Sequence, residues 1–104
     1  MNGVINVLKP PAMSSNGVTV YLKKLLNEKR VGHAGTLDPG AAGVLVVLLG
    51  RTARLSDYLM GHDKIYLAEM HFGCTTDTLD SYGTVLETRM PVRKITLEGV
   101  RRAC

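Results

Sequence analysis

Val4 to Leu8 is a short, mostly apolar run closed by Lys9-Pro10-Pro11, which predicts a strand ending in a rigid turn. Ser14, Ser15 and Asn16 are N-cap residue types, and beyond them Val18, Tyr21, Leu22, Leu25 and Leu26 fall at i, i+3, i+4, i+7 and i+8. That spacing predicts an amphipathic helix with these five residues on its buried face. Gly32 to Gly43 holds four glycines and a proline in twelve residues and predicts a long irregular loop, a length that is often functional. Val44 to Leu49 is uninterrupted aliphatic, the pattern of a strand buried on both faces. Arg51 to Met60 predicts a second helix with Leu55, Tyr58 and Leu59 facing inward. From Ile65 to Phe72, Tyr66, Ala68, Met70 and Phe72 alternate with residues such as Glu69 and His71, the period of a half-buried strand. Gly73 to Gly83 reads as polar loop, Thr84 to Arg89 as a further strand, and Thr96 as the cap of a last, short helix. Alternating strands and helices with an antiparallel final pair predict an α+β domain, and the abrupt end at Cys104 predicts an incomplete one.

A chain of 104 residues suits one domain, burying roughly 65% of its unfolded surface. Aliphatic residues must fill its core, because there is no Trp, one Phe and four Tyr. Apolar residues at 45% and charged residues at 21% argue for a soluble globular protein and against disorder. The net charge of +4 leans towards a polyanionic partner. Lys23, Lys24, Lys29 and Arg30 concentrate that charge near a helix C-terminus, which suits the helix dipole as well as it suits RNA. Cys74 and Cys104 have neither zinc spacing nor a second pair, so they read as two reduced thiols. The N-terminus lacks the basic and apolar regions of a signal peptide, and no segment approaches the roughly 18 apolar residues of a membrane span. The expectation is a cytoplasmic protein.

Candidate chemistry concentrates in Gly32-His33-Ala34-Gly35-Thr36-Leu37-Asp38-Pro39-Gly40-Ala41-Ala42-Gly43. Glycines let a backbone approach a ligand and adopt positive φ. Asp38-Pro39-Gly40 fits a turn with Pro at i+1 and Gly at i+2, so Asp38 is either a turn-stabilising carboxylate or a catalyst. His33 alone is equally an ordinary hydrogen-bonded loop histidine. No phosphate-binding or dinucleotide glycine pattern is present. Asp77 and Asp80 lack the spacing of a calcium loop; His33, His62 and His71 do not pair at metal-ligand spacing; Ser14 and Ser15 have no nucleophile elbow around them.

Five ordered blocks decide between these readings. Gly3-Val4-Ile5-Asn6-Val7-Leu8-Lys9-Pro10-Pro11-Ala12-Met13-Ser14-Ser15 resembles the opening of the TruB family of bacterial tRNA pseudouridine synthases. Val31 to Gly43 resembles the family's catalytic loop, Gly-His-x-Gly-x-Leu-Asp-Pro-x-Ala-x-Gly. Leu49-Gly50-Arg51-Thr52-Ala53-Arg54-Leu55, Lys64-Ile65-Tyr66 and Thr76-Asp77-Thr78-Leu79-Asp80-Ser81-Tyr82-Gly83 are similar to later blocks, in the same order. Three residues depart from the pattern: Ala12 stands where the family usually has Gly, Gly40 where it has Leu, and Ala42 where it has Thr.

The resemblance implies that residues 1–104 form the N-terminal portion of a pseudouridine synthase catalytic domain, α+β with a mixed, largely antiparallel sheet. The family's C-terminal segments and RNA-binding region would lie outside it. The implied activity is isomerisation of the T-loop uridine of tRNA, with the T-arm stem-loop as partner and no metal, organic cofactor or membrane. Asp38 is implied as the catalytic carboxylate. Tyr66 would stack on the flipped base, though an inward-facing strand tyrosine is its bland alternative. His33 would contact the displaced RNA loop, and Lys9 and Pro10 would buttress the catalytic loop. The alternative is a non-catalytic RNA-binding or scaffold fragment. The related guide-RNA-dependent synthases fit less well, since the Lys9-Pro10-Pro11 opening and the Thr76-Asp77-Thr78 block look bacterial. Alone, the unfinished sheet implies a chain that associates with itself, and the family's later segments, which would pair with Asp38 and close the uridine pocket, imply by their absence an inactive one.

Overall fold

A computed structural model describes residues 1–89 and 94–104, which fall into two compact units, Met1–Ile65 and Tyr66–Cys104. In the first unit, strands β1 (Gly3–Lys9), β2 (Val31–Ala34) and β3 (Gly43–Leu49) form an antiparallel sheet in the order β1-β3-β2. Helix α1 (Ser15–Leu26) connects β1 to β2. The α+β expectation holds, and every described strand pairing is antiparallel.

The central strand β3 organises the core. Leu45, Val47 and Leu49 share one face and pack with Val18 and Leu22 of α1. Leu48, on the opposite face, is also fully buried. Burial on both faces therefore holds for the second half of β3, while Val44 at its start is exposed. Aliphatic side chains without polar atoms suit this central position, where only the backbone needs partners.

Helix α1 begins at the N-cap Ser14, whose hydroxyl oxygen accepts from the Gly17 N–H at 2.9 Å. It ends at Asn27 in the left-handed conformation, with Lys23 and Lys24 in the last turn. Its buried face differs from the predicted one. Ser15, Val18, Thr19 and Leu22 are buried, whereas Tyr21 and Leu25 are 59% and 63% exposed. The stripe keeps helical spacing but is rotated, because two buried hydroxyls find backbone partners: Ser15 on Leu37 and Thr19 on Asn16.

Several other expectations need correction. Residues 32–43 are not all loop, since Val31–Ala34 pairs with β3 through His33 opposite Val47. Gly32 sits in that ladder opposite Leu48, and a Cβ there would lie 3.8 Å from Ala53. Its glycine content hid a strand. The segment Arg51–Met60 is not one helix; a 3-10 turn (Gly50–Leu55) leads into a five-residue helix, α2 (Ser56–Met60). Leu55 and Tyr58 are exposed there, and only Leu59 is half-buried. Gly50 opens this turn at φ 63°, where a Cβ would collide with the Met1 carbonyl oxygen. The Thr52 hydroxyl donates to the Gly3 carbonyl and accepts from the Gly3 N–H, tying the turn to β1.

Ile65–Phe72, which begins at the last residue of the first unit and continues into the second, does not form the predicted strand, and Leu67 and Tyr66 are exposed. A period of two is not enough, because a strand also needs a ladder partner, and the described residues offer this segment none. Nor is Gly73–Gly83 wholly loop: β4 (Cys74–Thr76) pairs with β5 (Val85–Thr88) across a bulge between Thr75 and Thr76. The turn between them is fastened by the Asp77 carboxylate, which accepts from the Thr84 N–H at 2.8 Å. Thr96 caps α3 (Leu97–Ala103) as expected, accepting from the Gly99 N–H at 3.1 Å. No described helix is long and apolar enough to cross a membrane.

Candidate active site

The β2–β3 connection, residues 35–42, carries Asp38 at an exposed position. Gly35 turns the chain out of β2 at φ 91°, a conformation that favours glycine. The Asp38 carbonyl accepts from the Ala41 N–H at 2.9 Å, closing the expected turn around Pro39 and Gly40. Gly40 is not among the glycines at positive φ, so this is not a type II turn.

The backbone on both sides of Asp38 is fixed by the end of β1, the start of α1 and the turn between them. Before it, Leu37 donates its N–H to the Ser15 hydroxyl at 2.9 Å, and that hydroxyl donates back to the Leu37 carbonyl at 3.0 Å. After it, the Pro39 carbonyl accepts from the Ala12 N–H at 2.7 Å and from the Lys9 ammonium at 3.2 Å. Lys9 is 0% exposed, and its other donors reach the carbonyls of Pro10 at 2.9 Å and Met13 at 2.6 Å. An ammonium has three donors, and all three are used. The Lys9 stem thus fills core space while its head ties strand end, turn and loop together. Pro10 itself is exposed and contributes its carbonyl and its fixed φ.

His33 is half-buried in β2, and its Nδ1 meets the Gly35 carbonyl. That carbonyl can only accept, so Nδ1 is the donor in this contact and Nε2 is left for another partner. His33, Asp38, Lys9 and Pro10 all belong to the first unit. Tyr66 belongs to the second, where it is exposed and outside any strand, which removes the inward-facing strand reading. Two carboxyls outside residues 35–42 are held below their usual range. Glu28 is lowered by the Arg30 N–H and the N-terminal ammonium, and Asp80 by the Thr78 hydroxyl and the Tyr82 N–H.

Sequence reasoning missed Ser15 and the Ala12 amide. Ser15 was legible only as one of three cap candidates, and the signal lay in having two serines in a row where one suffices to cap.

Residues 23–104 match the family model described as TruB family pseudouridylate synthase, N-terminal domain. The chain belongs to this family. The matched span contains His33, Asp38 and Tyr66. The chain is similar to the tRNA pseudouridine synthase B of Caldanaerobacter subterraneus subsp. tengcongensis, with 52% identity over 101 residues, 97% of this chain and 35% of that protein. It is similar also to that of Pelotomaculum thermopropionicum, 54% identical over 89 residues, covering 86% of this chain and 28% of the relative. The TruB segment described here therefore spans about a third of the length of these curated relatives. Among solved structures, it resembles an H/ACA RNP bound to a substrate RNA containing 2′-deoxyuridine, with 47% identity and a TM-score of 0.54 over 55% of this chain and 18% of that one. A Cbf5-Nop10-Gar1 complex is similar at 47% identity and a TM-score of 0.52, over 53% of this chain and 17% of that one.

Proposed function

We propose that residues 1–104 are the N-terminal part of the catalytic domain of a tRNA pseudouridine synthase acting on the T-loop uridine, with Asp38 as its catalytic carboxylate. The observation that carries this reading is the presentation of Asp38. Its side chain is exposed at a loop apex while the peptide groups before and after it are anchored to buried side chains. An exposed carboxylate on a rigid support is poised for chemistry on a bound substrate; a carboxylate that only stabilised a turn would spend its oxygens on the local backbone. The names of the curated relatives support the same reading.

Pseudouridine formation is an isomerisation. The bond from ribose C1′ to N1 breaks, C1′ bonds to C5, the proton on C5 leaves and N1 gains one. Substrate and product have the same oxidation state, so the chemistry needs no redox cofactor, and we assign no metal. A carboxylate is ionised at neutral pH and can capture or stabilise an oxocarbenium-like C1′. The uridine must first leave its stack in the T loop, at a cost of a few kcal/mol. His33 supports this step with an imidazole whose Nε2 is free to meet RNA, and Tyr66 with an exposed ring of the kind on which an unstacked base can lie. Lys9 and Pro10 hold the loop without touching substrate. The partner is the T-arm stem-loop, and the setting is the cytoplasm.

The test uses a full-length synthase carrying these 104 residues and tRNA labelled with tritium at uridine C5. Tritium release from the wild-type T arm, lost when the T-loop uridine is replaced by cytidine, is the expected result. Release that persists after that replacement would refute the substrate assignment.

A further inference from the structure

Two adjacent serines open α1, Ser14 as its N-cap and Ser15 as its first residue, and they do different work. Ser14 caps α1 through the Gly17 N–H. Ser15 is 3% exposed and takes no part in the cap. Its hydroxyl instead closes a two-bond ring with Leu37, 22 residues away, accepting from its N–H and donating to its carbonyl. Leu37 lies beyond the end of β2 and before the start of β3, so no strand supplies those bonds. One side-chain atom there replaces a ladder partner for the residue preceding Asp38.

We propose that Ser15 is a positioning residue for Asp38: its hydroxyl sets the Leu37 peptide and hence the direction in which the Asp38 side chain leaves the loop. The inference rests on the reading of Asp38 as the catalytic carboxylate. The geometry leaves Ser15 little other purpose. The cap is already made, and the carbonyl on the far side of Asp38 is held separately by Ala12 and Lys9. Loss of the Ser15 ring frees the Leu37 end of the clamp alone and lets the carboxylate swing about the Pro39 anchor. A displacement of about 1 Å at a reacting group can lower rate by about 100-fold while the rest of the site still binds.

The experiment compares Ser14→Ala, Ser15→Ala, Ser15→Thr and Asp38→Asn in a full-length synthase carrying these residues, under single-turnover conditions with tritium-labelled tRNA. Ser15→Ala is expected to slow turnover by about 10- to 100-fold with the Kd for tRNA changed by less than about twofold. Ser15→Thr, which keeps the hydroxyl, recovers most of the rate. Ser14→Ala lowers the melting temperature through loss of the cap and leaves turnover near wild type, separating stability from positioning. If the alanine variant is too unstable to assay, Ser15→Cys carries the same prediction in milder form, since a thiol keeps the shape with weaker bonds. A Ser15→Ala rate equal to wild type, or a rate loss matched by a proportional loss of RNA affinity, would overturn the inference while leaving Asp38 in place. Full turnover by Asp38→Asn would instead overturn the underlying assignment and the inference with it.

Discussion

The Ala12 amide donates to the Pro39 carbonyl at 2.7 Å, and it does so from a backbone at φ 68°. The left-handed region costs an alanine about 1–2 kcal/mol, and a glycine there avoids that cost. Glycine also loses more chain entropy on folding, by about 0.4–1 kcal/mol relative to alanine. Ala12→Gly is therefore expected to stabilise the protein by about 0.5–1 kcal/mol, read as a higher denaturant midpoint with an unchanged slope. A lower midpoint would show that the alanine methyl makes compensating contacts.

The departure at Ala12 was visible in the sequence, but the conformation that gives it meaning was not. The elements that could be read were those whose pattern is local: the aliphatic β3, the start of α1, and the Thr96 cap. Those that could not depend on distant partners. Val31–Ala34 is a strand because β3 lies beside it, and Ile65–Phe72 is not one for want of such a neighbour among the described residues. Tyr21 and Leu25 were placed inward by hydrophobicity alone, whereas Ser15 and Thr19 take the buried positions through hydrogen bonds. In the candidate site, the motif pointed to Asp38 and His33, and Lys9 was readable as a support for the loop. Ser15 was not, because a serine that braces a loop is spelled the same way as one that caps a helix.

The cations Lys23, Lys24, Lys29, Arg30, Arg51 and Arg54 are all exposed. If two or three of them meet phosphates, the affinity for T-arm RNA falls with salt at a log–log slope of about −1.5 to −2.5. A titration of Kd between low and moderate salt measures it. An affinity indifferent to salt would make these charges a solvated face and no more.

Asp80 holds the β4–β5 turn by accepting from the Thr78 hydroxyl at 2.6 Å and the Tyr82 N–H at 2.9 Å. These bonds favour the ionised form, so its pKa lies below the ordinary value of 3.8. A carboxyl whose folded pKa is depressed stabilises the fold above the unfolded pKa and loses that contribution as pH falls through the folded one. The Tyr82 amide resonance should therefore titrate with a midpoint below 3.8 and stop titrating in Asp80→Asn. A midpoint at or above that value would mean the turn does not hold the carboxylate.

Leu8 of the edge strand β1 and Val44 of β3 stand opposite each other in the sheet and are 75% and 64% exposed. An exposed apolar pair at a strand edge that has no partner among the described residues recruits other chains. The isolated 104-residue chain is expected to self-associate as its concentration rises, and Leu8→Lys to reduce that association, both by light scattering. It is also expected to release no tritium from labelled tRNA. A strictly monomeric wild-type chain would contradict the first expectation, and turnover by it the second.

The central claim is that the anchored loop exists to present the Asp38 carboxylate to a uridine. Asp38→Asn keeps the size and polarity of the side chain and removes its charge, so the Lys9, Ala12 and Ser15 anchors on its neighbours should persist. The most direct measurement is single-turnover tritium release, with tRNA affinity in parallel, for wild type and Asp38→Asn in a full-length synthase carrying these residues. The account predicts no detectable release by the variant, with tRNA bound at close to wild-type affinity. Wild-type-like release by Asp38→Asn would contradict it.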